Sequence, residues 1–174
     1  MAFSPIRLNH AVLFVADLER SVRFYSEVFG MEVIAREPRA NAAFLRLAES
    51  GNHHDLGLFG VGGAAGERRR RGAIGLYHLA WQVDTIDDLA TARQVLLEQG
   101  AYTGESNHGA TKSVYGADPD GNEFEIMWML PREEWGAYEQ AAPIERLDLS
   151  AELQRWSGVA TAGRVIAEAP ARER

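Results

Sequence analysis

A strand with one central histidine, followed at once by a helix, occurs twice in this chain. That repetition limits the fold more than any single motif. Residues 75–83 (GLYHLAWQV) mix β-branched, aromatic and apolar residues at period two, which predicts a strand. His78 sits in its middle, on the face opposite Tyr77, Leu79, Trp81 and Val83. Residues 8–15 (LNHAVLFV) form the same kind of strand around His10. From His10 to Gly30 is 20 residues and from His78 to Gly100 is 22. Matching strands with matching histidines imply two half-sites brought together by an internal duplication.

The rest of the chain fits two copies of one unit. A strand is predicted over 6–16, and Asp17 is placed to cap a helix. Leu18, Val22, Tyr25, Val28 and Phe29 recur at helical spacing, and Gly30 stops the helix. Strands are predicted over 32–35, 42–48 and 55–59, with Gly51-Asn52 as a turn. The first module, 6–59, is therefore β-α-β-β-β. A Gly-, Ala- and Arg-rich link spans 60–72, and the second module, 73–130, repeats the order. Thr85 and Asp88 make a capping box. Ile86, Leu89, Ala90, Leu96 and Leu97 form the buried stripe, and Gly100 ends the helix. Two strands fall inside 102–118, with 104–109 read as loop. Asp118-Pro119-Asp120-Gly121 is a turn before the last strand, 122–130. On that strand an outward set, Phe124, Ile126 and Trp128, alternates with Glu123, Glu125, Met127 and Met129. The expected architecture is α+β: two tandem βαβββ modules forming one curved, barrel-like mixed sheet around a metal cavity.

The tail, 131–174, differs in kind. Trp135, Tyr138, Ile144, Leu147, Leu149 and Leu153 are apolar anchors among charges. It is expected to wrap the surface or cover a subunit contact. A short helix is predicted near 150–156, and the end beyond Ser157 is expected to be frayed and flexible.

Composition narrows the function classes. A 174-residue chain that is 46% hydrophobic can build one domain, or two halves sharing a core. A net charge of −7 argues against a nucleic-acid partner, because phosphate backbones need a basic surface. The one basic run, Arg68 to Arg71, reads as a solvated loop. With no cysteines there are no disulfides, thiolate metal sites or cysteine nucleophiles. The first five residues lack a secretion pattern, and no apolar run is long enough to cross a bilayer. A cytoplasmic protein acting on a small molecule, without membrane contact, is expected.

The histidine strands and the last strand carry the chemistry. If the halves pack together, His10 and His78 occupy matching places, and Glu125 shares a face with the other polar members of its strand. Two imidazoles and one carboxylate can fill one face of an octahedral ion and leave the other face open. That arrangement suits ferrous iron, which must hold both substrate and dioxygen. Manganese can use the same ligands. A lone strand histidine more often serves packing than metal, but the pairing within a repeat favours ligation. Glu125, inside an apolar strand, would otherwise need another buried partner. Glu123 is the competing carboxylate; it lies nearer the turn, where solvent reaches it.

The β-α-β-β-β repeat, the segment 17–25 (DLERSVRFY) and the ending 118–125 (DPDGNEFE) resemble the vicinal oxygen chelate superfamily. Glyoxalase I, fosfomycin-resistance enzymes, bleomycin-binding proteins and type I extradiol ring-cleaving dioxygenases belong to it. The resemblance covers about residues 6–130. Three further features, 53–58 (HHDLGL), Asn107-His108-Gly109 and Tyr115, resemble the single-domain extradiol (catechol 2,3-) dioxygenases. Tyr115 lies ten residues before Glu125, the spacing expected of that family.

The resemblance implies an iron(II)-dependent enzyme of aromatic degradation, with Mn(II) possible and O2 as co-substrate. It would cleave a catechol ring beside its two hydroxyls. His10, His78 and Glu125 would hold the metal, and His54 would be the acid–base residue. His108 would stabilise negative charge on dioxygen and on the intermediate, and Tyr115 would bond the substrate oxygen. An imidazole near neutral pH and a phenol donor suit those tasks. The superfamily's habits and the apolar tail imply a homo-oligomer.

One register question stays open in the sequence. Residues 51–55 (GNHHD) align without gaps on 121–125 (GNEFE), which sets Asp55 opposite Glu125. Strand alternation gives Leu56 and Leu58 to the helix-packed face and Asp55, Gly57 and Phe59 to the other. His54 would then reach the site only from a bulge or a turn end. With Asp55 as a fourth ligand, the same scaffold would be a glyoxalase-like isomerase or transferase that ignores oxygen. A third reading is a small-molecule binding protein without turnover.

Overall fold

Both copies of the repeat form. The computed structural model describes residues 7–63 and 74–163. Met1 to Ile6, the Arg68 to Arg71 run with most of the link, and the tail beyond Gly163 lie outside the described residues.

The first module runs β1 (Ala11–Val15), α1 (Leu18–Phe29), β2 (Glu32–Glu37), β3 (Ala42–Arg46) and β4 (Leu56–Gly60). Helix α1 starts where the Asp17 carboxylate accepts from Arg20 N. It stops at Gly30, which takes the left-handed φ of 64° that a side chain would resist. The sheet order is β1-β4-β3-β2, with β1 parallel to β4 and the other pairs antiparallel. Period-two alternation sends Val15, Ala43, Leu45, Leu56 and Leu58 to the core with Leu18, Val22 and Tyr25 of α1. Each fully buried leucine contributes about 1.5–3 kcal/mol of transfer free energy.

This unit also contains the turn 118–121. Asp120 Oδ2 accepts from Ala16 N (3.2 Å) and Ser21 Oγ (3.3 Å), and its Oδ1 accepts from Arg20 (2.5 Å). Tyr25 Oη donates to Asp118 Oδ2 at 3.1 Å. The 17–25 and 118–121 segments are thus partners in one buried polar network. Burial, reinforced by the Asp118 charge, holds the Tyr25 phenol well above its usual ionisation range.

The second module runs β5 (His78–Gln82), α2 (Ile86–Glu98), β6 (Tyr102–Asn107), β7 (Thr111–Ala117) and β8 (Glu123–Met129). The Thr85–Asp88 capping box opens α2. The sheet order β5-β8-β7-β6, with β5 and β8 parallel, repeats the first module. The strands make two four-stranded sheets, one per module, not one continuous closed sheet.

Three local expectations change. Residues 104–107 are strand, not loop: they pair with β7 after a bulge between Tyr102 and Gly104, so the ladder overrides weak strand propensity. Leu97 is exposed, and the buried α2 stripe is Ile86, Leu89 and Leu96. The outward set of β8 is buried: Phe124, Ile126 and Trp128 lie at 3% exposure or less. Helix α2 packs on that strand, and Trp128 Nε1 donates to the Val159 carbonyl of the tail.

The tail wraps this module. Short 3-10 turns at Arg132–Glu134 and Gly136–Gln140 lead to α3 (Leu149–Trp156), close to the expected helix. Leu147 is the buried anchor, whereas Tyr138 and Ile144 are exposed. Among the described residues no helix is long and apolar enough to cross a membrane.

Candidate metal centre

In the first module, His10 immediately precedes β1 and His54 lies at the turn end before β4. The two rings are 4.4 Å apart. His54 therefore reaches His10 from a turn-end position, and no bulge is needed. An aromatic row continues from it: His54 to Phe44 at 5.1 Å, Phe44 to Phe59 at 6.1 Å, Phe59 to Phe14 at 6.4 Å. Gly57 sits between Val12 and Phe44 on that face and leaves it flat. Burial, then the charges of His10 and His53, lower the His54 pKa below its ordinary value; Asp55 opposes the shift.

Asp55 is 6% exposed and already engaged. Its carboxylate accepts from Leu47 N (2.8 Å) and Asn52 Nδ2 (2.6 Å). A carboxylate only accepts, so this contact fixes the polarity of the bonds that follow. Asn52 Oδ1 accepts from Asn9 Nδ2 (3.1 Å), and Asn9 Oδ1 accepts from His10 Nδ1–H (2.9 Å). In the neutral His10 ring this puts the lone pair on Nε2, the nitrogen that would then be left for a metal.

In the second module, His78 Nε2 lies 3.0 Å from Glu125 Oε2. Ser113 Oγ donates to Glu125 Oε1 at 2.5 Å. Tyr115 stands directly across the β7–β8 ladder from Glu125, with its ring 5.9 Å from that of His78. The Tyr115 hydroxyl lies 2.7 Å from His108 Nε2, and His108 Nδ1 lies 2.7 Å from the Pro143 carbonyl. Burial, then the Glu125 charge, raise the Tyr115 phenol above its usual range, so it stays a donor at neutral pH. In the ladder His78 is registered opposite Glu123, yet its imidazole meets Glu125. Ser113 was not among the expected site residues, although period two from Tyr115 puts it on the same face. Pro143 left no signal, because it acts through its main chain.

Of the six expected residues, His10 and His54 meet in the first module, and His78, Glu125, Tyr115 and His108 form a connected group in the second. Within neither module, among the described residues, do three or more His, Asp or Glu side chains gather closely enough to hold an ion. The donors themselves fit a metal. His78 Nδ1 is buried without a hydrogen-bond partner, so this imidazole is not a satisfied packing residue. The 3.0 Å between His78 Nε2 and Glu125 Oε2 suits either a hydrogen bond or adjacent ligands of an octahedral ion. Bonds of about 2.1 Å at right angles put such ligands about 3.0 Å apart.

Paired βαβββ modules of this topology define an α+β protein with the vicinal oxygen chelate fold. Residues 7–126 match the Glyoxalase/Bleomycin resistance protein/Dioxygenase superfamily, and the chain belongs to it. It is 33% identical over 127 residues to biphenyl-2,3-diol 1,2-dioxygenase 3 of Rhodococcus globerulus, covering 72% of this chain and 64% of that protein. It is 30% identical over 128 residues to catechol-2,3-dioxygenase of Bacillus subtilis (strain 168), covering 74% of this chain and 43% of that one. The chain thus spans about half the length of these relatives. A lactoylglutathione lyase of Neisseria meningitidis is 28% identical over 152 residues, covering 78% of this chain and all of the lyase. Among solved structures, a glyoxylase/bleomycin resistance protein/dioxygenase domain from Frankia sp. EAN1pec shares the fold. Its TM-score is 0.61 at 24% identity, over 73% of this chain and all of that one.

Proposed function

We propose that this protein is an iron(II)-dependent extradiol dioxygenase that opens a catechol-type ring beside its two hydroxyls. The observation that carries the reading is the connected group in the second module, where His78, Glu125, Tyr115 and His108 are linked by contacts of 3.0 Å or less and by ring proximity. His10, His78 and Glu125 would hold the ion, for which manganese(II) is an alternative. The ion would supply electron transfer between a chelated catechol and dioxygen. The chain's own residues do the rest. Ser113 orients the Glu125 carboxylate, and Asn9 orients the His10 imidazole. Tyr115, held protonated, hydrogen-bonds a substrate oxygen through its phenol oxygen. His54, with its lowered pKa, stays neutral into its ordinary titration range and can take a proton beside His10. The flat aromatic row beside it offers a face on which a planar ring can lie.

Anaerobic loading with iron, followed by oxygen and a panel of catechols, should give a yellow ring-opened semialdehyde. Silence across the panel with metal bound would end the reading. The second reading is a glyoxalase-like isomerase, favoured by the full-length match to the lyase. It predicts oxygen-independent turnover with zinc, nickel or manganese, and needs Asp55 as a ligand. The two hydrogen bonds already made by that carboxylate favour the dioxygenase.

A further inference from the structure

We infer that the C-terminal strap is a positioning element of the site. The Pro143 carbonyl holds the His108 proton on Nδ1, which leaves Nε2 as the acceptor for the Tyr115 hydroxyl. The inference rests on reading His108 and Tyr115 as residues of the reaction. A carbonyl oxygen only accepts, so the 2.7 Å contact with Pro143 requires a proton on Nδ1. In the neutral ring Nε2 then carries the lone pair, and the 2.7 Å partner that can donate to it is the Tyr115 hydroxyl. With the other tautomer, Nδ1 and the carbonyl would face each other as two acceptors.

The strap is built to keep this geometry. Asn107 and Glu145 exchange two main-chain hydrogen bonds, of 2.9 and 3.0 Å, beside the His108–Pro143 contact. Leu147 is buried just beyond them. Lys112, only 4% exposed, joins the strap to the His108 loop. Its Nζ donates to Asn107 Oδ1 (2.7 Å) and the Gly109 carbonyl (2.9 Å) and pairs with Glu152 of α3 at 3.3 Å. Gly109 has a φ of 76° and lies under the Tyr138 ring, where a Cβ would stand 2.3 Å from a ring carbon. All these strap residues lie beyond residue 126, where the family match ends.

The arrangement gives the pair a direction. A substrate hydroxyl can donate its proton to the Tyr115 oxygen while the phenol's own proton moves to His108 Nε2. The imidazolium keeps its Nδ1–H on the Pro143 carbonyl and returns the other proton by the same route. Charge and proton count are conserved. With the opposite tautomer, Nε2 has no lone pair and the transfer has no acceptor.

The test is the His108 tautomer in the full-length protein, read by long-range proton–nitrogen correlation with 15N-labelled histidine. A His108→Asn variant assigns the signals. Nδ1 should carry the proton and Nε2 should show the shift of a bare nitrogen; the reverse overturns the inference. Lys112→Met loosens the strap, and Glu152→Gln is the milder variant. Both should admit the second tautomer, Lys112→Met more, with kcat falling in proportion to the Nδ1–H fraction lost and KM unchanged. An unaltered tautomer in a folded, strap-loosened Lys112→Met protein would also overturn it. Absent ring cleavage alongside an Nδ1–H His108 would defeat the proposed reaction while supporting the strap's hold. Cleavage alongside an Nε2–H His108 would do the opposite.

Discussion

Replacing Asp55 by alanine separates the two proposed chemistries, and the structure gives the size of the effect. The carboxylate is buried and accepts two hydrogen bonds, from Leu47 N and Asn52 Nδ2. A hydrogen bond to a charged acceptor contributes about 1.5–3 kcal/mol, and a buried donor left without a partner costs about 1–3 kcal/mol. The two effects overlap at the Leu47 amide, so a total of about 3 kcal/mol is expected. For a chain of this size that lowers Tm by about 6–12 °C. Metal is a separate readout. The Asp55 carboxylate reaches His10 through Asn52 and Asn9, so its loss should weaken metal affinity about 10–100-fold without abolishing it. Asn52→Ala should reproduce the affinity loss with a smaller Tm change. Thermal unfolding and an iron titration followed by metal analysis measure both. An Asp55→Ala protein with unchanged Tm and no bound metal would refute the reasoning and make Asp55 a ligand.

Tyr115→Phe keeps the ring and removes the donor; kcat should fall about 100-fold with metal content unchanged, measured by product absorbance after metal analysis. Lost metal in that variant would assign Tyr115 a different role. Tyr25→Phe should cost about 1 kcal/mol at pH 7. The native Tyr25 pKa is raised, so the parent's stability should hold below pH 10 and fall above it, as the unfolded phenol ionises first. Urea unfolding from pH 7 to 11 should show that alkaline loss shrink in the variant; identical slopes would contradict the network. Asp120→Ala strips an acceptor from Ala16 N, Ser21 and Arg20 and should destabilise by about 2–4 kcal/mol in urea unfolding. Gly116→Ala sets a Cβ 2.6 Å from the buried Phe124 ring and should cost about 1–3 kcal/mol, while iron titration shows ordinary binding.

Much of this protein was legible one residue at a time. Asp17, Gly30, Thr85 and Asp88 mark helix ends because caps are local chemistry, satisfied by groups three or four residues away. The duplicated strands were legible because alternation at period two needs no knowledge of what lies across the ladder. Alternation put His78, Glu123 and Glu125 on the polar faces of their strands but could not choose between the two carboxylates; the folded side chains bring His78 to Glu125. Tertiary structure decided what depends on partners distant in the chain. It turned Asp55 inward to Leu47 and Asn52, and it brought His54 to His10. It made strand of residues 104–107 by supplying β7 as a partner, and it buried the outer face of β8 against α2, with the tail over Trp128. The hold of Pro143 on His108 is the plainest case. A main-chain carbonyl is present at every residue, so no side-chain pattern announces which one will meet an imidazole; only the path of the folded backbone selects it.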